Sequence, residues 1–451
     1  MLALITARIA DESTTPSAKA IAAAIGRMIT AGDLPPDSKL PTVRALSRTL
    51  RVSPTTVSEA WRGLAAAGAI ETRGRNGTYV QAHTGLSGPR RYRRITEWNG
   101  HIAIDLSTGT PDPDLLPDLG PAIASVGRQS LTASYLDAPV LPELEELLRA
   151  DWPFPPEALT VVDGALDALD RVAQLVLRLG DRVVVEHPAF PPLLDLLDQL
   201  GCEVIGVDVD ATGMQPDGLR AALEQRPTAV FLQPRAHNPT GVALTASRAA
   251  ELAALLETST ALIVEDDHAN EISSAPLLTL GRWHPARTVH IRSFSKSHGP
   301  DLRLAAVGGA GGVVETMASR RILGPGWSSR ILQSVLIHLL RSPDTNDLLA
   351  NARDTYERRR RVVSDVLTAA GIDHPDGDGI NLWMQVQDER SALVLLASRG
   401  IGAAPGTPFL TRPDRGFLRV TTGRVADDEA LHVAELLVEA ASHPPVRTGM
   451  R

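Results

Sequence analysis

A single cysteine, Cys202, stands among 451 residues. That count excludes an intrachain disulfide and a cysteine-based zinc site, and a cytoplasmic home is the expectation. No run of eighteen apolar residues occurs, so an apolar membrane-spanning helix is excluded. The segment Met1–Arg8 has no basic stretch ahead of a sustained apolar one, and no secretory signal is expected from it. Lysine is almost as rare, with Lys19, Lys39 and Lys296 the only three. Arginine takes its place in an Ala/Arg/Leu-rich chain, so the scarcity needs no functional cause. Only one lysine nevertheless stands after Arg94, and its surroundings decide whether that matters.

What is present is enough apolar material for two or three domains, 43% of the residues, and a net charge of −8. The charge is unevenly placed. Residues 1–94 hold 14 Lys+Arg against 6 Asp+Glu, a balance of +8, while the rest hold 31 against 47, a balance of −16. A basic module joined to an acidic body suggests a nucleic-acid partner for the first part. Chance clustering gives the same split, and Arg90, Arg91, Arg93 and Arg94 also fit a solvated linker.

The basic part has a readable pattern. Ile21, Ile25, Met28 and Ile29 share one face of a helix over 17–31 that Ser17 is placed to cap. Leu34-Pro-Pro-Asp37 makes a turn. A second helix is expected over about 41–50, with Pro41 in its first turn, and a third over about 54–67 with Ser53 as N-cap. Two short strands, 69–72 and 78–81, flank a basic Gly-rich tip at 73–77. Helix, turn, helix and hairpin in this order is a winged helix-turn-helix, whose third helix enters the major groove. The string Lys39-Leu-Pro-Thr-Val-Arg-Ala-Leu-Ser47, Val52-Ser-Pro-Thr-Thr-Val57, Leu64, Gly68 and Gly77-Thr-Tyr-Val80 resembles the GntR family of bacterial regulators over residues 10–82. By that resemblance Arg44, Ser53, Thr55, Thr56, Ser58 and Gly77 are the DNA contacts. Pro54 and Ser58 stand where arginines often read guanine, which turns attention to Arg48 and Arg75.

Residues 83–100 lack apolar periodicity and read as a linker. Beyond them, apolar runs at 159–162, 182–185, 228–232, 261–265, 289–292 and 304–308 alternate with helical patterns at 165–179, 189–200 and 246–257. Such alternation implies a mainly parallel sheet covered on both faces, with ligands at the carboxyl ends of its strands.

The polar motifs fall at those ends. Ser293-Phe-Ser-Lys-Ser-His-Gly-Pro-Asp-Leu-Arg303 follows one strand. A buried lysine there is neutral enough to attack an aldehyde, and Ser293, Ser295 and Arg303 offer hydroxyls and a cation to a phosphate. Asp163-Gly164-Ala165-Leu166 opens a helix whose N–H groups can cradle an anion, although a glycine before a helix is commonplace. Asp266, in Val264-Glu-Asp-Asp-His268, can hold a pyridinium nitrogen or simply cap a helix. Asn238, in His237-Asn-Pro-Thr-Gly241, can donate to a ring oxygen. Phe190 can stack on a ring or sit in the core. Arg419, in Phe417-Leu-Arg-Val420, can clamp a carboxylate or make a surface ion pair.

Taken in order, these pieces resemble the fold-type I aminotransferases over about 100–445. The resemblance implies pyridoxal 5′-phosphate, held as an internal aldimine on Lys296. It implies Asp266 on the ring nitrogen and Asn238 on the ring hydroxyl. Phe190 would stack on the ring, and Gly164, Ala165, Leu166, Ser293, Ser295 and Arg303 would hold the phosphate. Tyr135 would reach that phosphate from a neighbouring subunit, so a homodimer is implied, and Arg419 would take an amino-acid carboxylate. The sequence departs from the family at His268, where a tyrosine usually meets the ring hydroxyl. Imidazole can donate the same bond but titrates near neutrality. Leu166 replaces a usual polar residue, and a glycine is missing near Val140.

A GntR-like module on this fold resembles the MocR subfamily of transcriptional regulators. The fold class expected is α/β: a winged helix-turn-helix at 10–82, a linker at 83–100, a large domain with a mainly parallel sheet at 101–320, and a smaller α+β domain at 321–445. The function implied is a DNA-binding regulator that senses pyridoxal phosphate or an amino compound at Lys296. The alternative is a working aminotransferase with an appended DNA-binding domain.

Overall fold

The computed structural model describes residues 1–12, 16–30, 33–66, 69–73, 77–81, 90–96, 102–126, 134 and 137–444. The N-terminal unit contains α1 (Leu2–Glu12), α2 (Ala18–Thr30), α3 (Val43–Leu50), α4 (Pro54–Ala66) and the antiparallel hairpin β1 (Ile70–Thr72) and β2 (Thr78–Val80). Ile21, Ile25, Leu46, Val57 and Leu64 form its core, and Ile5 and Ile9 bring α1 into it. The sequence pattern gave no sign of α1. The second helix starts at Val43, two residues later than expected from Pro41, because the Thr42 hydroxyl accepts the Ala45 N–H at 3.2 Å and makes Thr42 the cap. Ser53 caps α4 in the same way, accepting the Thr56 N–H at 3.1 Å.

The segment expected as a linker contains a helix, α5 (Arg90–Thr96). Its first-turn donors have no partner within the helix. A carboxylate from elsewhere takes them: the Arg91 and Tyr92 N–H groups both donate to Asp195 at 3.0 Å. The Arg91 guanidinium donates to the Leu410 carbonyl at 2.8 Å, and Ile95 is buried with Trp383, Ala404 and Phe409. Long-range capping and packing order this stretch, which its own composition does not reveal.

After β3 (Ile104–Leu106), α6 (Gly120–Val126) and α7 (Pro142–Ala150) the large sheet begins. In chain order it runs β4 (Ala158–Val162), α8 (Ala165–Val176), β5 (Arg182–His187), α9 (Pro191–Gln199), β6 (Glu203–Asp210), β7 (Gly213–Met214), α10 (Pro216–Leu223) and β8 (Ala229–Leu232). Then follow α11 (Ala246–Leu256), β9 (Leu262–Asp267), β10 (Thr288–Ser293), β11 (Ala305–Gly309) and α12 (Gly311–Arg321). The spatial order is β4-β11-β10-β9-β8-β5-β6-β7. β10, β9, β8, β5 and β6 are mutually parallel, while β11 and β7 run against their neighbours. The inner strands are buried on both faces, as a sheet covered by helices on each side requires, although β9 and β10 bury Glu265, Asp267, Thr288, His290 and Arg292 beside their apolar residues. β6 had no counterpart among the expected strands, because Gly206, Asp208 and Asp210 break its apolar run.

The remaining chain forms α13 (Arg330–Arg341), α14 (Pro343–Ala369), β12 (Leu382–Val386), α15 (Glu389–Ser398), β13 (Ile401–Pro405), β14 (Gly416–Val420) and α16 (Ala430–Ala441). Its sheet has the order β12-β14-β13-β3, so the early strand β3 completes the C-terminal sheet. None of the helices among the described residues is long and apolar enough to cross a membrane.

Candidate functional site

The carboxyl ends of β4, β5, β8, β9 and β10 bring their loops to one edge of the large sheet. A cavity of about 250 Å³ opens there, and β14 and α5 close its other side. Lys296 follows β10 and faces the cavity. Its Nζ donates to the Gly109 carbonyl at 2.7 Å. Enclosure, and then the Arg419 cation, lower its pKa to about 8, with Asp266 pulling the other way.

Asp266, the penultimate residue of β9, is buried. Its Oδ2 accepts from Gln233 Nε2 at 2.8 Å, and its Oδ1 has no protein partner. Burial raises this carboxyl to about 6, against the Gln233 hydrogen bond. Gln233 was missed in the sequence, although a polar residue directly after an apolar strand is a signal worth reading. Its backbone N–H donates to Glu186 Oε2 at 2.8 Å, and its Oε1 accepts the Asn238 N–H at 2.7 Å. One amide thus fixes Asp266 and the Asn238 loop together.

Asn238 Oδ1 accepts from Arg419 at 3.3 Å, which leaves the amide NH₂ as its donor. His268 differs from expectation. Its Nε2 lies 2.9 Å from the Ala236 carbonyl, which only accepts, so the proton sits on Nε2. Burial, and then the Lys296 charge, hold its pKa near about 3. The ring is therefore neutral and its buried Nδ1 is a bare acceptor.

At the other end of the cavity, the Ser293 and Ser295 hydroxyls are 2.9 Å apart and the exposed Arg303 donates to the Asp163 carbonyl at 3.3 Å. Gly164 precedes α8 with φ of 104°, and a Cβ there would stand 3.0 Å from the Arg303 guanidinium. The Ala165 and Leu166 N–H groups lie in the first turn of α8, where no intrahelical acceptor exists. The Leu166 side chain is 39% exposed, so its backbone is what it can offer an anion. Half-buried Phe190, just before α9, forms one wall. Tyr135 lies outside the described residues.

Arg419 is 2% exposed. It donates to the Ser107 carbonyl and to Asn238, its guanidinium lies 5.2 Å from the centre of the Phe409 ring, and its Nε–H is buried without a partner. Burial lowers its pKa to about 10, opposed by Tyr92 and Asp105. Tyr92 and Ile95 of α5 line the same cavity. Their segment lacks the apolar periodicity of a longer helix, yet an aromatic and an aliphatic three residues apart share a helical face.

The donor set matches a phosphorylated pyridine aldehyde in its chemistry. An amine faces the space, an unpartnered buried carboxylate oxygen suits a protonated ring nitrogen, and an amide donor suits a ring oxygen. Two hydroxyls, a cation and a helix start suit a phosphate, with Gly164 leaving the room that a Cβ would fill.

In the N-terminal unit, Arg44 and Arg48 are exposed on α3, and Thr55 is exposed on α4. Thr56 and Ser58 are half-buried, and the Ser53 hydroxyl, bound to the Thr56 N–H and 2.8 Å from its hydroxyl, is engaged in the cap. Gly77 directly precedes β2 in the hairpin connection with φ of 105°, where a Cβ would stand 2.9 Å from Lys39 Cε. Arg75 lies outside the described residues.

Residues 101–437 match the aminotransferase class I and II family, and residues 17–80 match the bacterial regulatory proteins of the gntR family. The vitamin B6 salvage pathway transcriptional repressor PtsJ of Salmonella typhimurium is 36% identical over 419 residues, covering 90% of this chain and 94% of its own. The pyridoxine biosynthesis transcriptional regulator PdxR of Corynebacterium glutamicum is 29% identical, covering 76% of this chain and 77% of its own. A kynurenine aminotransferase from Pyrococcus horikoshii shares the fold, with a TM-score of 0.71 at 20% identity over 79% of this chain and 95% of its own.

Proposed function

Since the chain belongs to the aminotransferase class I and II family and carries a gntR-family module in the manner of the MocR-type regulators, we propose that it is a pyridoxal-phosphate-dependent transcriptional regulator. The observation that carries this reading is the convergence of Lys296, Asp266 and the Gly164–Arg303 cradle on one cavity, in a chain that begins with a DNA-binding module. The vitamin B6 vocabulary of PtsJ and PdxR supports the choice of cofactor.

Bound at this site, pyridoxal phosphate supplies an aldehyde for reversible condensation with amines. The chain's own groups do the rest. Lys296 offers an amine whose lowered pKa leaves about a tenth of it neutral at pH 7. Asp266, steadied by Gln233, would accept a hydrogen bond from the protonated ring nitrogen, and Asn238 would donate to the ring oxygen. His268, a neutral acceptor on its cavity side, does not take over the donor role of a tyrosine hydroxyl. Ser293, Ser295, Arg303 and the N–H groups after Gly164 hold the phosphate. Arg419 takes the carboxylate of an amino-acid effector. Occupancy of the site shifts the balance between states that differ in DNA affinity, by as much as the ligand's affinity differs between them. The protein acts in the cytoplasm as a homodimer, with Tyr135 completing the phosphate site of a second copy.

On the DNA side, Arg44 and Thr55 contact the duplex from α3 and α4, with the Gly77 hairpin against the backbone. The test pairs two variants on DNA fragments selected from the organism's genome by the purified protein. Lys296→Ala loses the visible absorption of the bound cofactor. Arg44→Ala keeps that absorption and binds DNA about tenfold more weakly, with a shallower salt dependence. Multiple turnover of an amino acid to its keto acid at ordinary enzyme rates would overturn the regulator in favour of an enzyme.

A further inference from the structure

The linker helix α5 is not needed by the cofactor chemistry just described, yet it forms part of the cavity wall. Tyr92 and Ile95 both line it, on the side occupied by Arg419. Ile95 packs with Phe409, and the Arg419 guanidinium stands 5.2 Å from the centre of the Phe409 ring. One route therefore leads from the carboxylate end of the cavity to α5 through a single aromatic ring, and Tyr92 lines the same cavity as Arg419.

The position of α5 is fixed by backbone bonds rather than by side-chain contact alone. Asp195 of α9 takes the N–H groups of Arg91 and Tyr92, and the Arg91 guanidinium reaches the Leu410 carbonyl, with Asp198 3.5 Å away. α9 itself starts directly after Phe190, which forms another wall of the cavity. Tyr92, 44% exposed, stands at the mouth, where it can meet a ligand without first being uncovered.

We propose that Tyr92 and Ile95 are ligand-contacting residues for the non-reacting end of the effector, so that the helix joining the DNA-binding module to the body is itself part of the ligand site. The effector class that fits is an amino carboxylate with an apolar side chain. Arg419 holds its carboxylate, and Tyr92 and Ile95 give its side chain an aromatic and aliphatic wall. The inference rests on the cofactor reading above and adds to it a direct mechanical link, since whatever moves α5 moves the start of the DNA-binding tether.

The test uses two stable probes on the full chain: pyridoxamine 5′-phosphate, and N-(5′-phosphopyridoxyl)-L-leucine, which carries the amino-acid portion as well. For wild type and Tyr92→Ala, calorimetry gives the affinity ratio of adduct to pyridoxamine phosphate. That ratio is expected to fall about tenfold in the variant. In wild type, backbone hydrogen exchange over 90–96 is expected to slow with the adduct and much less with pyridoxamine phosphate. An unchanged ratio, or equal protection of 90–96 by both probes, overturns the role of α5 while the cofactor reading stands. Failure of both probes to bind wild type overturns the cofactor reading, and this inference with it.

Discussion

Lys296 gives the most direct quantitative test of the site. An ordinary lysine titrates near 10.5, and enclosure with the neighbouring Arg419 cation brings this one to about 8. Only the neutral amine attacks an aldehyde. Its share is ~1% at pH 6, ~9% at pH 7 and ~50% at pH 8, whereas an unperturbed lysine would be ~0.3% neutral at pH 8. The second-order rate constant for capture of pyridoxal phosphate is therefore expected to rise about tenfold from pH 6 to 7, bend near 8 and flatten above 9. Stopped-flow absorbance, following the visible band that grows on capture, reads this constant directly. The neighbours move the bend with opposite signs. Arg419→Gln removes a cation and shifts it upward; Asp266→Asn removes an anion and shifts it downward. A wild-type profile still climbing tenfold between pH 9 and 10 would refute the placement of this amine. So would two variants that move the bend the same way.

Two further outcomes follow from the surroundings of the two sites. Gly77→Ala forces a side chain into left-handed backbone, and the N-terminal unit should lose about 1–2 kcal/mol in thermal or denaturant unfolding. The nearby Lys39 chain end can swing away, so adding Lys39→Ala should recover little. A loss below about 0.5 kcal/mol would sink the backbone argument. Glu186 is pushed up from 4.5 to about 8, chiefly by burial. The folded chain therefore keeps a proton that the unfolded chain releases, and stability falls as pH rises from 4.5 to 8, by up to about 1.4 kcal/mol per pH unit. Glu186→Gln should remove that part of the slope between pH 5.5 and 7.5 in urea titrations, and an identical slope in both proteins contradicts it.

Much of the site is encoded locally and was legible for that reason. Strand followed by Ser-x-Ser-Lys, strand followed by Asp266, and Gly164 before a helix each need only a few consecutive residues to declare themselves. The elements that escaped are defined by partners far away in the chain. α5 is ordered by Asp195, 103 residues after Tyr92, and nothing in an arginine-rich stretch announces a distant cap. Gln233 is unremarkable by itself; its value lies in touching Glu186, Asp266 and Asn238 at once. The tautomer of His268 depends on one carbonyl, that of Ala236, which residue type alone does not locate. β6 was lost to its polar residues, since burial on one side only dilutes the apolar signal.

The capping of α5 by Asp195 has a consequence for the length of DNA such a regulator can measure. A helix nailed at its first turn is an anchor post for the chain that leads back to the DNA-binding unit. From Gln81 to Arg90 the chain advances nine residues, which span at most about 30 Å when fully drawn out. In the proposed homodimer the two posts stand at a separation set by the paired bodies. The centre-to-centre distance of two operator half-sites is then bounded by that separation plus two such spans and the DNA-binding units themselves, in steps of about 34–36 Å per turn of DNA. Operator spacing thereby becomes a ruler for the assembly, read in base pairs.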